Sequence, residues 1–440
     1  MPQSLHRQIV SLLGSLSLLS GLPVAAAEDS TASTPIARVC GPTTANITCV
    51  SRYGSLLPPN YDHNPSPING YTSTSIPSDS SWELVQKAGF VVFDEELAMP
   101  ILGDNPRIFP RFIPTIPVVH EAPIYHPSTN KLFVTQDGPP GNLTNLVLDL
   151  NFDPPTVTAF VTDPIIYQPT GGILHNDKIY WAVHGSTGNG TLENGLAQQA
   201  GIARVDPVTL KAEWLANTFY GNRFNGPNDL HVACNGDIYF TDSPYALALN
   251  LTPPGQAGLR YATYRFRPET GEITVADNTL QLPNGIAFSR DGKTAYICDS
   301  GLEILTPPDQ ASDAGFYAYP IRIGFESTNN KNIYAFDVEI DEAGASHLTN
   351  KRHLWQSIEG IPDGLKVAAN DYLLVGGGLA PSVDILDRRG HLIMRIQTNH
   401  PVENLAFTGK DLTTLYLTGI GGITKVEMNL PGPDPNNYYL

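Results

Sequence analysis

A single pattern of polar and apolar residues recurs six times along the middle of the chain. Each copy starts with a polar or small residue, continues as an alternating apolar segment, turns, and returns as a second apolar segment. The copies start at Glu121, Gly171, Asn228, Asn284, Asp363 and Glu403. Pairs such as Asn235-Gly and Asp291-Gly lie between the two apolar segments and are hairpin signals. Each copy therefore predicts two antiparallel strands joined by a tight turn.

Further alternating segments fill the gaps between the copies, which follow one another at intervals of roughly 40 to 80 residues. They predict outer strands, so that each repeat holds about four strands. Helix signals are scarce. A four-stranded unit that repeats in this way is typical of propeller blades, which bury their faces against their neighbours. The sequence predicts an all-β fold, a six-bladed β-propeller over residues 93–430, with a β-sandwich of similar strand content as the alternative.

The two ends of the chain differ from the repeats. The apolar stretch Ile9–Leu22, followed by small residues, is typical of a signal peptide covering residues 1–27, with a retained membrane anchor as the weaker alternative. Residues 28–92 are rich in Ser, Thr, Pro and Gly and predict an irregular N-terminal arm. Ser81–Leu97 could hold a short helix or strand that leads into the domain. Residues 431–440 predict an irregular C-terminal tail. No other apolar run approaches the length of about 18 residues that suggests a membrane span.

Charge and composition exclude some partners. The 440-residue chain has a formal charge of −17, which argues against a nucleic-acid partner because phosphate binding needs a basic surface. Hydrophobic residues make up 41% of the chain, which is too large a fraction for a disordered protein. We therefore expect a globular protein that has neither a nucleic acid nor a membrane as its partner, and the charge says little about its substrate. The sequence predicts no particular oligomeric state.

Acceptor sites and cysteines agree with the predicted leader. Four Asn-X-Thr sequons are candidate glycosylation sites, at Asn46, Asn142, Asn189 and Asn250. Cys40 and Cys49 lie close together and predict a local disulfide, whereas Cys234 and Cys298 could pair or remain small buried hydrophobes. With the leader, these features predict a secreted, extracellular protein.

The first residues of the repeats are the candidate site. In a propeller the innermost strand of each blade lines the central channel, so equivalent positions form a ring around it. Four of these positions carry oxygen donors, namely Glu121, Asn228, Asn284 and Asp363. An isolated Asn-Gly or Asp-Gly is usually a turn, but here the pair precedes an apolar strand instead of joining two. Because carboxylate and amide oxygens are hard ligands, the ring predicts one divalent cation, calcium or magnesium.

A set of motifs then indicates a family. The motifs are His120-Glu-Ala-Pro, Arg223-Phe-Asn-Gly-Pro-Asn-Asp-Leu, Ile238-Tyr-Phe-Thr-Asp-Ser-Pro-Tyr, Leu282-Pro-Asn-Gly-Ile-Ala-Phe, Asp291-Gly-Lys-Thr-Ala-Tyr and Ile361-Pro-Asp-Gly-Leu. In their order and spacing the chain resembles the SMP-30/gluconolactonase/LRE-like family, and within it the secreted fungal lactonohydrolases, from about Phe93 to about Met428. The resemblance implies a six-bladed propeller whose channel metal is required to open lactone rings.

The resemblance also implies roles for particular residues. Glu121, Asn284 and Asp363 look like the metal ligands, and Asn228 looks like a fourth ligand or a substrate-positioning residue. Members of the family differ in the ion they prefer, so calcium is favoured and zinc, magnesium and manganese remain alternatives. Two positions depart from the family. Glu403 stands where close relatives tend to have small or apolar residues, and Thr170 stands where an Asn is common.

Lactone opening needs a polarised carbonyl group, an attacking water and stabilisation of the developing oxyanion. Asp363 is the candidate base for the water proton, and Asn228 is the second candidate catalytic residue. The candidate substrate-lining residues are His120, His184, Tyr245 and Glu403. For Asp229, Asp242 and Asp299, turn or backbone-capping roles are the more common interpretation. The chain has no Gly-x-Ser-x-Gly motif, which disfavours a serine nucleophile.

These features favour a secreted, metal-dependent lactonohydrolase acting on a sugar-acid lactone or another small lactone. One alternative is a propeller that catalyses a non-hydrolytic step, such as cyclisation or decarboxylation, because a cation and a carboxylate can also stabilise an enolate. The other alternative is a non-catalytic binding propeller with a structural ion.

Overall fold

Strands make up most of the regular structure in the part of the chain that can be described. The structure is a computed structural model, and it describes residues 35–42, 45–51, 54–63, 71–113, 119–138, 143–186, 198–249, 251, 258–301, 304–306, 322–324 and 328–439. The expected signal peptide lies outside these residues. Within them, no helix has the length and apolar character needed to cross a membrane.

The segment before the first repeat is more regular than its composition suggests. It contains β1 (Ala37–Val39), β2 (Ile47–Val50), α1 (Trp82–Lys87), β3 (Phe90–Val92), α2 (Glu95–Leu102) and β4 (Arg107–Ile113). The prediction that residues 28–92 form an irregular arm is therefore wrong for β1 and β2, whereas α1 and β3 lie within Ser81–Leu97, where a short helix or strand was expected. Each strand has only three or four residues before Phe93, too few to show an alternating pattern. They are strands because they add backbone hydrogen bonds to the edge of an existing sheet.

The first two repeats form two antiparallel four-stranded sheets. Sheet 1 consists of β5 (Val119–His126), β6 (Lys131–Asp137), β7 (Asn145–Asp149) and β8 (Thr156–Phe160). Sheet 2 consists of β9 (Pro169–His175), β10 (Lys178–Val183), β11 (Gly201–Val205) and β12 (Ala212–Ala216). A short hairpin follows, made of β13 (Thr218–Phe219) and β14 (Asn222–Arg223). In each sheet the first two strands are the hairpin that the sequence pattern predicts.

The next two repeats follow the same plan with insertions. Sheet 3 consists of β15 (Pro227–Val232), β16 (Ile238–Asp242), β17 (Ala262–Arg267) and β18 (Glu272–Asp277), with α3 (Tyr245–Ala248) after its second strand. Sheet 4 begins with β19 (Pro283–Phe288) and β20 (Thr294–Asp299), after which β21 (Ile304–Thr306) and β22 (Arg322–Gly324) pair separately. It is completed by β23 (Asn332–Ile340) and β24 (Ser346–Gln356).

The last two repeats recruit strands from the start of the chain. Sheet 5 contains β25 (Leu365–Val367), β26 (Leu373–Gly376), β27 (Ser382–Leu386) and β28 (Leu392–Gln397), and β3, β2 and β1 extend it to seven strands. Sheet 6 contains β29 (Asn404–Thr408), β30 (Thr414–Gly419) and β31 (Gly422–Glu427), with β4 as its fourth strand. Sheets 1–4 and sheet 6 are five four-stranded blades in a propeller arrangement. The fold is therefore all-β.

Apolar side chains fill the spaces between neighbouring sheets. Phe133, Leu174 and Trp181 pack together between sheets 1 and 2. Ile396 and Leu405 belong to the cluster that joins sheets 5 and 6. Because a sheet buries its faces only against the next sheet, each repeat depends on its neighbours for stability. This arrangement leaves the starts of the first strands free to carry polar residues.

The first strands are irregular where they begin. In sheets 1 to 4 the pairing of the first two strands shifts by one residue near this end, which marks a β-bulge. Thr170, Asn228 and Asn284 lie within these shifts, and Glu121 lies at the edge of one. A bulge redirects side chains relative to a regular strand. Thus the strand pattern breaks at the positions where the sequence analysis places the site.

The C-terminal tail packs near the other end of the first strands. It contains no helix or strand between residues 431 and 439. The Tyr438 hydroxyl donates to the Phe288 carbonyl at 2.5 Å, and the Tyr439 hydroxyl donates to the Val232 carbonyl at 2.7 Å. A mainly apolar cavity of about 90 Å³ lies here, lined by Tyr438, His231 and residues of the first strands.

Candidate functional site

A cavity of about 60 Å³ lies where the first strands begin. The four predicted metal ligands all line it, namely Glu121, Asn228, Asn284 and Asp363. The other predicted residues that line it are His184, Tyr245, Glu403 and Thr170. The side chain of the remaining candidate, His120, lies outside the described residues. Sequence spacing thus brings residues from all six repeats to one cavity.

The side-chain orientation of Asn284 follows from its hydrogen bonds. Its amide nitrogen donates to the Ser300 hydroxyl at 3.0 Å and to the Tyr245 hydroxyl at 3.3 Å. The Ser300 hydroxyl in turn donates to the Pro362 carbonyl at 2.8 Å. Because the single proton of Ser300 is used in that bond, its oxygen must accept from an NH2 group. The Asn284 carbonyl oxygen is therefore available to a cation.

Asp363 follows Pro362, and its backbone is held in place by the neighbouring backbone at Gly376 and Gly285. Its backbone nitrogen donates to the Gly376 carbonyl at 3.0 Å. A Cβ atom added at Gly285 would lie 2.1 Å from the Asp363 carbonyl oxygen. The glycine of the Asn284-Gly pair is thus needed for contact between neighbouring first strands, and it makes no turn. This contact sets the spacing between Asn284 and Asp363.

Glu121 is held from two directions. Its Oε2 atom accepts hydrogen bonds from the Ala122 backbone nitrogen and from the Asn404 amide nitrogen, each at 3.1 Å. Glu121 is 7% exposed as a whole residue, and burial alone would penalise the charge of its carboxyl group. Asn404 was not recognised in the sequence, although it immediately follows the predicted residue Glu403. The start of sheet 6 therefore positions a carboxylate that belongs to sheet 1.

Thr170 supports Asn228 and does not replace it. The Thr170 hydroxyl donates to the Asn228 carbonyl oxygen at 2.8 Å. That bond joins the first strands of sheets 2 and 3 at their bulges. The departure from the family at this position therefore has a visible role in fixing the backbone at Asn228.

Glu403 brings a third carboxylate to the cavity. Its Oε2 atom accepts from the Ile420 backbone nitrogen at 3.1 Å, whereas Oε1 is buried and has no hydrogen-bond partner. Gly419 leaves room for the carboxylate, because a Cβ there would lie 2.1 Å from Oε2. The free Oε1 atom can accept a hydrogen bond from a bound molecule.

The three carboxylates affect one another's ionisation. Burial raises the pKa of Glu121 well above its usual range, and the charges of Asp363 and Glu403 raise it further. Burial also raises the pKa of Asp363, and burial together with the charge of Asp363 raises that of Glu403. Among the described residues that line the cavity, none is Lys or Arg. No Lys or Arg among these described residues therefore offsets the charge of the carboxylates.

The chemistry of this donor set fits a hard dication. Amide and carboxylate oxygens converge from several sheets, and a divalent charge would offset their repulsion. The described residues contain no group of three or more His, Cys, Asp or Glu side chains arranged to hold a metal ion. The set here differs from such a group because half of the four candidate ligands are amides. The donor set thus fits a hard dication for two reasons. It combines amide and carboxylate oxygens, and no described Lys or Arg in the cavity offsets the charge of the carboxylates.

A second polar group comes from the ends of the second strands. His184 follows β10, and Asp137 ends β6; both side chains are buried and line the cavity. The His184 Nδ1 atom lies 3.3 Å from Asp137 Oδ2. His184 was a candidate from sequence, whereas Asp137 was missed. The sequence shows only that Asp137 lies at the end of a predicted strand. That position points to the cavity only when the arrangement of the sheets is known.

Asp242 and Asp299 have the backbone-capping role that the sequence favours. Asp242 accepts from the backbone nitrogens of Asn225 and Gly226, just before Asn228. Asp299 accepts in the same way from the backbone nitrogens of Gln281 and Leu282, just before Asn284. Each carboxylate thus fixes the loop that leads into a candidate ligand. Ser300, which orients Asn284, follows the second of them and was also missed.

Of the remaining predicted positions, those that the structure describes do not line the cavity. Cys40 and Cys49 form a disulfide, and Cys234 and Cys298 are not paired with each other. Asn46 is exposed, and its side-chain nitrogen donates to the Lys87 carbonyl. The other three sequon asparagines, Asn142, Asn189 and Asn250, lie outside the described residues.

Comparisons with known proteins agree with this architecture. The pattern of the SMP-30/Gluconolactonase/LRE-like region matches residues 178–318 and 321–421. Lactonohydrolase oryL of Aspergillus oryzae is 36% identical over 392 residues, covering 88% of this chain and 86% of the relative. Lactonohydrolase oryH of the same organism is 33% identical over 474 residues, covering 93% of this chain and 96% of the relative. These names support a lactone-hydrolysing enzyme, an ester-bond hydrolase with a small-molecule lactone as substrate.

Solved structures show the same fold. A gluconolactonase from Xanthomonas campestris has a TM-score of 0.56 and 23% identity, with coverage of 77% of this chain and 94% of its own. A calcium-binding protein, regucalcin, from Agrobacterium tumefaciens has a TM-score of 0.51 and 16% identity, with coverage of 75% and 97%. The family pattern covers more than half of the chain, and two relatives align along most of it. The chain therefore belongs to the SMP-30/Gluconolactonase/LRE-like family.

Proposed function

We propose that the protein is a secreted lactonohydrolase that depends on one divalent cation and opens a small lactone by attack of water. The observation that carries the proposal is the cavity in which Glu121, Asn228, Asn284 and Asp363 converge. The chain that builds this cavity is similar to proteins named lactonohydrolase. A sugar-acid lactone, or another lactone of similar size, is the substrate class.

The proposal includes a six-bladed propeller. Its fifth blade in chain order is formed by β25–β28, and β1–β3 are an extension of that blade. The support is a cycle of contacts among first strands, in which each touches the next. The cycle runs through β5, β9, β15, β19, β25, β29 and back to β5. Six inner strands around one channel would then carry the ring of site residues.

The proposed cation is calcium, held by Glu121, Asn228, Asn284 and Asp363. Calcium prefers oxygen ligands and accepts carboxylate and amide oxygens together. A protein of similar fold is itself described as calcium-binding. When bound, such a cation polarises a carbonyl group and stabilises the charge that develops on its oxygen.

Asp363 accepts the proton of the attacking water in this proposal. The hydrogen-bond chain through Ser300 and Pro362 fixes the backbone beside it. Leu249, Ile361 and Leu379 supply an apolar wall of the cavity against which the carbon atoms of a small ring can pack. Glu403 Oε1 is available to accept a hydrogen bond from a substrate hydroxyl group. The residues thus separate into a proton acceptor, an apolar wall and a hydroxyl-binding group.

Secretion is supported by features outside the cavity. The Cys40–Cys49 disulfide is typical of proteins that fold in an oxidising compartment. The apolar stretch in residues 1–27 and the four sequons point to the same route. In this proposal, residues 1–27 are removed and residues 93–430 contain the propeller.

The first test is hydrolysis of a lactone panel containing aldonolactones, pantolactone and δ-valerolactone, followed by pH-stat. We expect turnover that a chelator abolishes and that added calcium restores. Asp363→Asn keeps an oxygen ligand and removes the base, so we expect turnover to fall by about 100-fold or more.

Calcium binding, measured by calorimetry, is the control for Asp363→Asn. A variant that binds calcium and keeps full turnover would show that Asp363 is not the base. Wild-type protein that binds calcium without turning over any lactone would instead favour a binding propeller. A product formed without incorporation of water would favour the non-hydrolytic alternative.

A further inference from the structure

His184 differs from other buried histidines of the described chain in how its ring is bonded. In buried His126 each ring nitrogen has a hydroxyl partner, which is Thr129 for Nδ1 and Ser128 for Nε2. Both ring nitrogens of His184 are buried and have no hydrogen-bond partner, although the Asp137 carboxylate is 3.3 Å away. Asp137 Oδ1 is likewise buried without a partner. Buried polar atoms of this kind normally have partners, so a ligand in the cavity is the expected one.

The surroundings of His184 are acidic. Asp137 approaches from β6, and Asp242 at the end of β16 interacts electrostatically with the imidazole. Glu121, Asp363 and Glu403 face the same cavity. The loop before Asn228 also packs on the ring, because a Cβ at Gly226 would lie 3.1 Å from His184 Cδ2. These carboxylates are the charged groups that surround the imidazole and the cavity it faces.

His184 and Asp363 belong to different sides of the channel. His184 follows the second strand of sheet 2, whereas Asp363 precedes the first strand of sheet 5. In the proposed six-bladed ring these sheets are three blades apart and stand opposite each other across the axis. A lactone held between them would present its carbonyl carbon toward one residue and its ring oxygen toward the other.

We propose that His184, oriented by Asp137, donates a proton to the ring oxygen of the lactone as the ring opens; this inference rests on the proposed function. The oxygen of water forms a bond to the carbonyl carbon and gives one proton to Asp363. The bond from that carbon to the ring oxygen breaks, and its electron pair stays on the ring oxygen. That oxygen takes the proton of the His184 imidazolium and becomes the hydroxyl group of the product. The proton on Asp363 then returns through solvent to His184, so lactone and water give one hydroxy acid.

Changing the leaving group from oxygen to sulfur distinguishes a proton donor from a residue with a purely structural role. An alkoxide is a poor leaving group and needs a proton, whereas a thiolate, with a pKa of about 8.5 in cysteine, leaves without one. The substrates are δ-valerolactone and its ring-sulfur analogue δ-thiovalerolactone, which have the same ring size. For His184→Gln we expect kcat on the oxygen lactone to fall about 100-fold or more. We expect kcat on the thiolactone to change by less than about threefold, because no proton donor is needed.

Asp137→Asn tests the positioning role of the carboxylate. We expect it to lower kcat on δ-valerolactone about tenfold, with KM nearly unchanged and little effect on the thiolactone. His231→Phe is the matched control, because His231 is buried with an unpartnered Nε2 atom but faces the other cavity. It should leave kcat on both substrates unchanged. Calcium affinity and the thermal midpoint of each variant show whether the fold and the site are intact.

The other possible results would contradict the proposed role of His184 as proton donor. Equal losses on both substrates in His184→Gln would assign the residue a binding or structural role and overturn the proposal. Full activity of that variant on δ-valerolactone would overturn it as well. Wild-type protein that hydrolyses no lactone of the panel, with calcium bound, would overturn the proposed function and this inference together. Activity of the wild type with equal losses in the variant would reject the inference alone.

Discussion

At the scale of single residues, hydrogen-bond partners separate the side chains that build the site from those that act in it. The Asn284 amide nitrogen has two hydroxyl partners, which leave its oxygen directed elsewhere. His184 has no such partners, and neither does Glu403 Oε1. A buried donor or acceptor without a partner costs about 1–3 kcal/mol, so these atoms are expected to meet a ligand. His231 also has an unpartnered ring nitrogen, but aromatic rings surround it, so we expect it to affect stability and not ligand binding.

His231 should make the protein sensitive to acid. Its ring stacks on Phe288 with centroids 5.1 Å apart and meets the Tyr438 ring at 4.7 Å. Burial lowers the pKa of His231 to about 3, with smaller effects from Lys366 and His175. Below the unfolded-state pKa of about 6.5 the unfolded chain binds a proton that the folded protein excludes, so stability falls as the pH falls from about 6.5 towards 3. The loss is about 1.4 kcal/mol per pH unit at its steepest.

His231→Phe should remove this part of the pH dependence while it keeps an aromatic ring in the stack. Urea unfolding of both proteins at several pH values between about 4 and 7 measures the difference. We expect the two free energies of unfolding to converge as the pH is lowered, or to cross. Parallel curves for the two proteins would show that His231 is not the residue responsible.

At the scale of secondary-structure elements, the site depends on the starts of strands approaching one another closely. Gly285 allows the first strand of sheet 4 to touch the chain at Asp363. Gly364 does the same one sheet further on, where a Cβ would lie 2.6 Å from the Glu403 carbonyl oxygen. These contacts and the bulges beside them determine how far apart the oxygen donors lie.

Gly285→Ala should damage both the fold and the cation site. The added Cβ would lie 2.1 Å from the Asp363 carbonyl oxygen, and the neighbouring atoms are backbone that cannot rotate away. We expect the free energy of unfolding to fall by about 3 kcal/mol and the calcium affinity to fall with it. Thermal unfolding with and without calcium measures both effects.

Gly258→Ala is the comparison for that variant, because an added Cβ there would have no neighbour within 4 Å. We expect it to change the free energy of unfolding by less than about 0.5 kcal/mol. If both alanine variants behave alike, close strand approach at Gly285 does not control the site.

The sequence predicts elements better than it predicts the contacts between them. The repeated hairpins were predictable because alternation and turn residues are local signals, and they placed four oxygen donors at equivalent positions. The strands β1 and β2 were not, because they are short and depend on a sheet edge formed by distant residues. Ser300, Asn404 and Asp137 were missed for the same reason. Each acts on a residue from another strand or another sheet, and nothing in its own neighbourhood indicates that partner.

At the scale of the whole molecule, one buried ion cluster joins the N-terminal segment to sheet 5. The fully buried Arg395 guanidinium donates to Asp384 at 2.7 and 3.0 Å and to Glu359 at 2.6 Å. Glu359 also accepts from the Tyr71 backbone nitrogen at 3.0 Å, and the Arg395 guanidinium lies 4.8 Å from the centre of the Tyr71 ring. The cluster therefore attaches the segment around Tyr71 to the propeller.

Arg395→Met should destabilise the protein strongly, because two carboxylates would remain buried without their counter-charge. We expect the free energy of unfolding to fall by about 3–5 kcal/mol at neutral pH. Burial already raises the pKa of Glu359 in the folded protein, and without the opposing charge of Arg395 that pKa would rise further. The loss should therefore shrink as the pH falls and Glu359 takes up a proton. Urea unfolding at pH values from about 5 to 8 tests both statements.

Arg352→Met provides the exposed counterpart. Arg352 pairs with Asp337 at 2.7 Å, and both side chains are more than 40% exposed. Its loss should cost about 1 kcal/mol or less. A similar cost for both variants would mean that the buried cluster does not secure the segment around Tyr71.

The closure of sheet 6 has a consequence for how the protein is made. Its outer strand β4 is synthesised early and its partner β31 late, and Ile113 lies opposite Ile423 in the finished sheet. During translation sheet 6 cannot be completed until β31 has left the ribosome, so β4 must wait without its partner strand and the earlier sheets must wait with one face uncovered. Contacts between such distant residues form slowly, and uncovered sheet faces are prone to aggregate. Synthesis of this protein should accordingly depend on chaperones that protect these uncovered faces, and shortening the chain within β31 should trap it in that state.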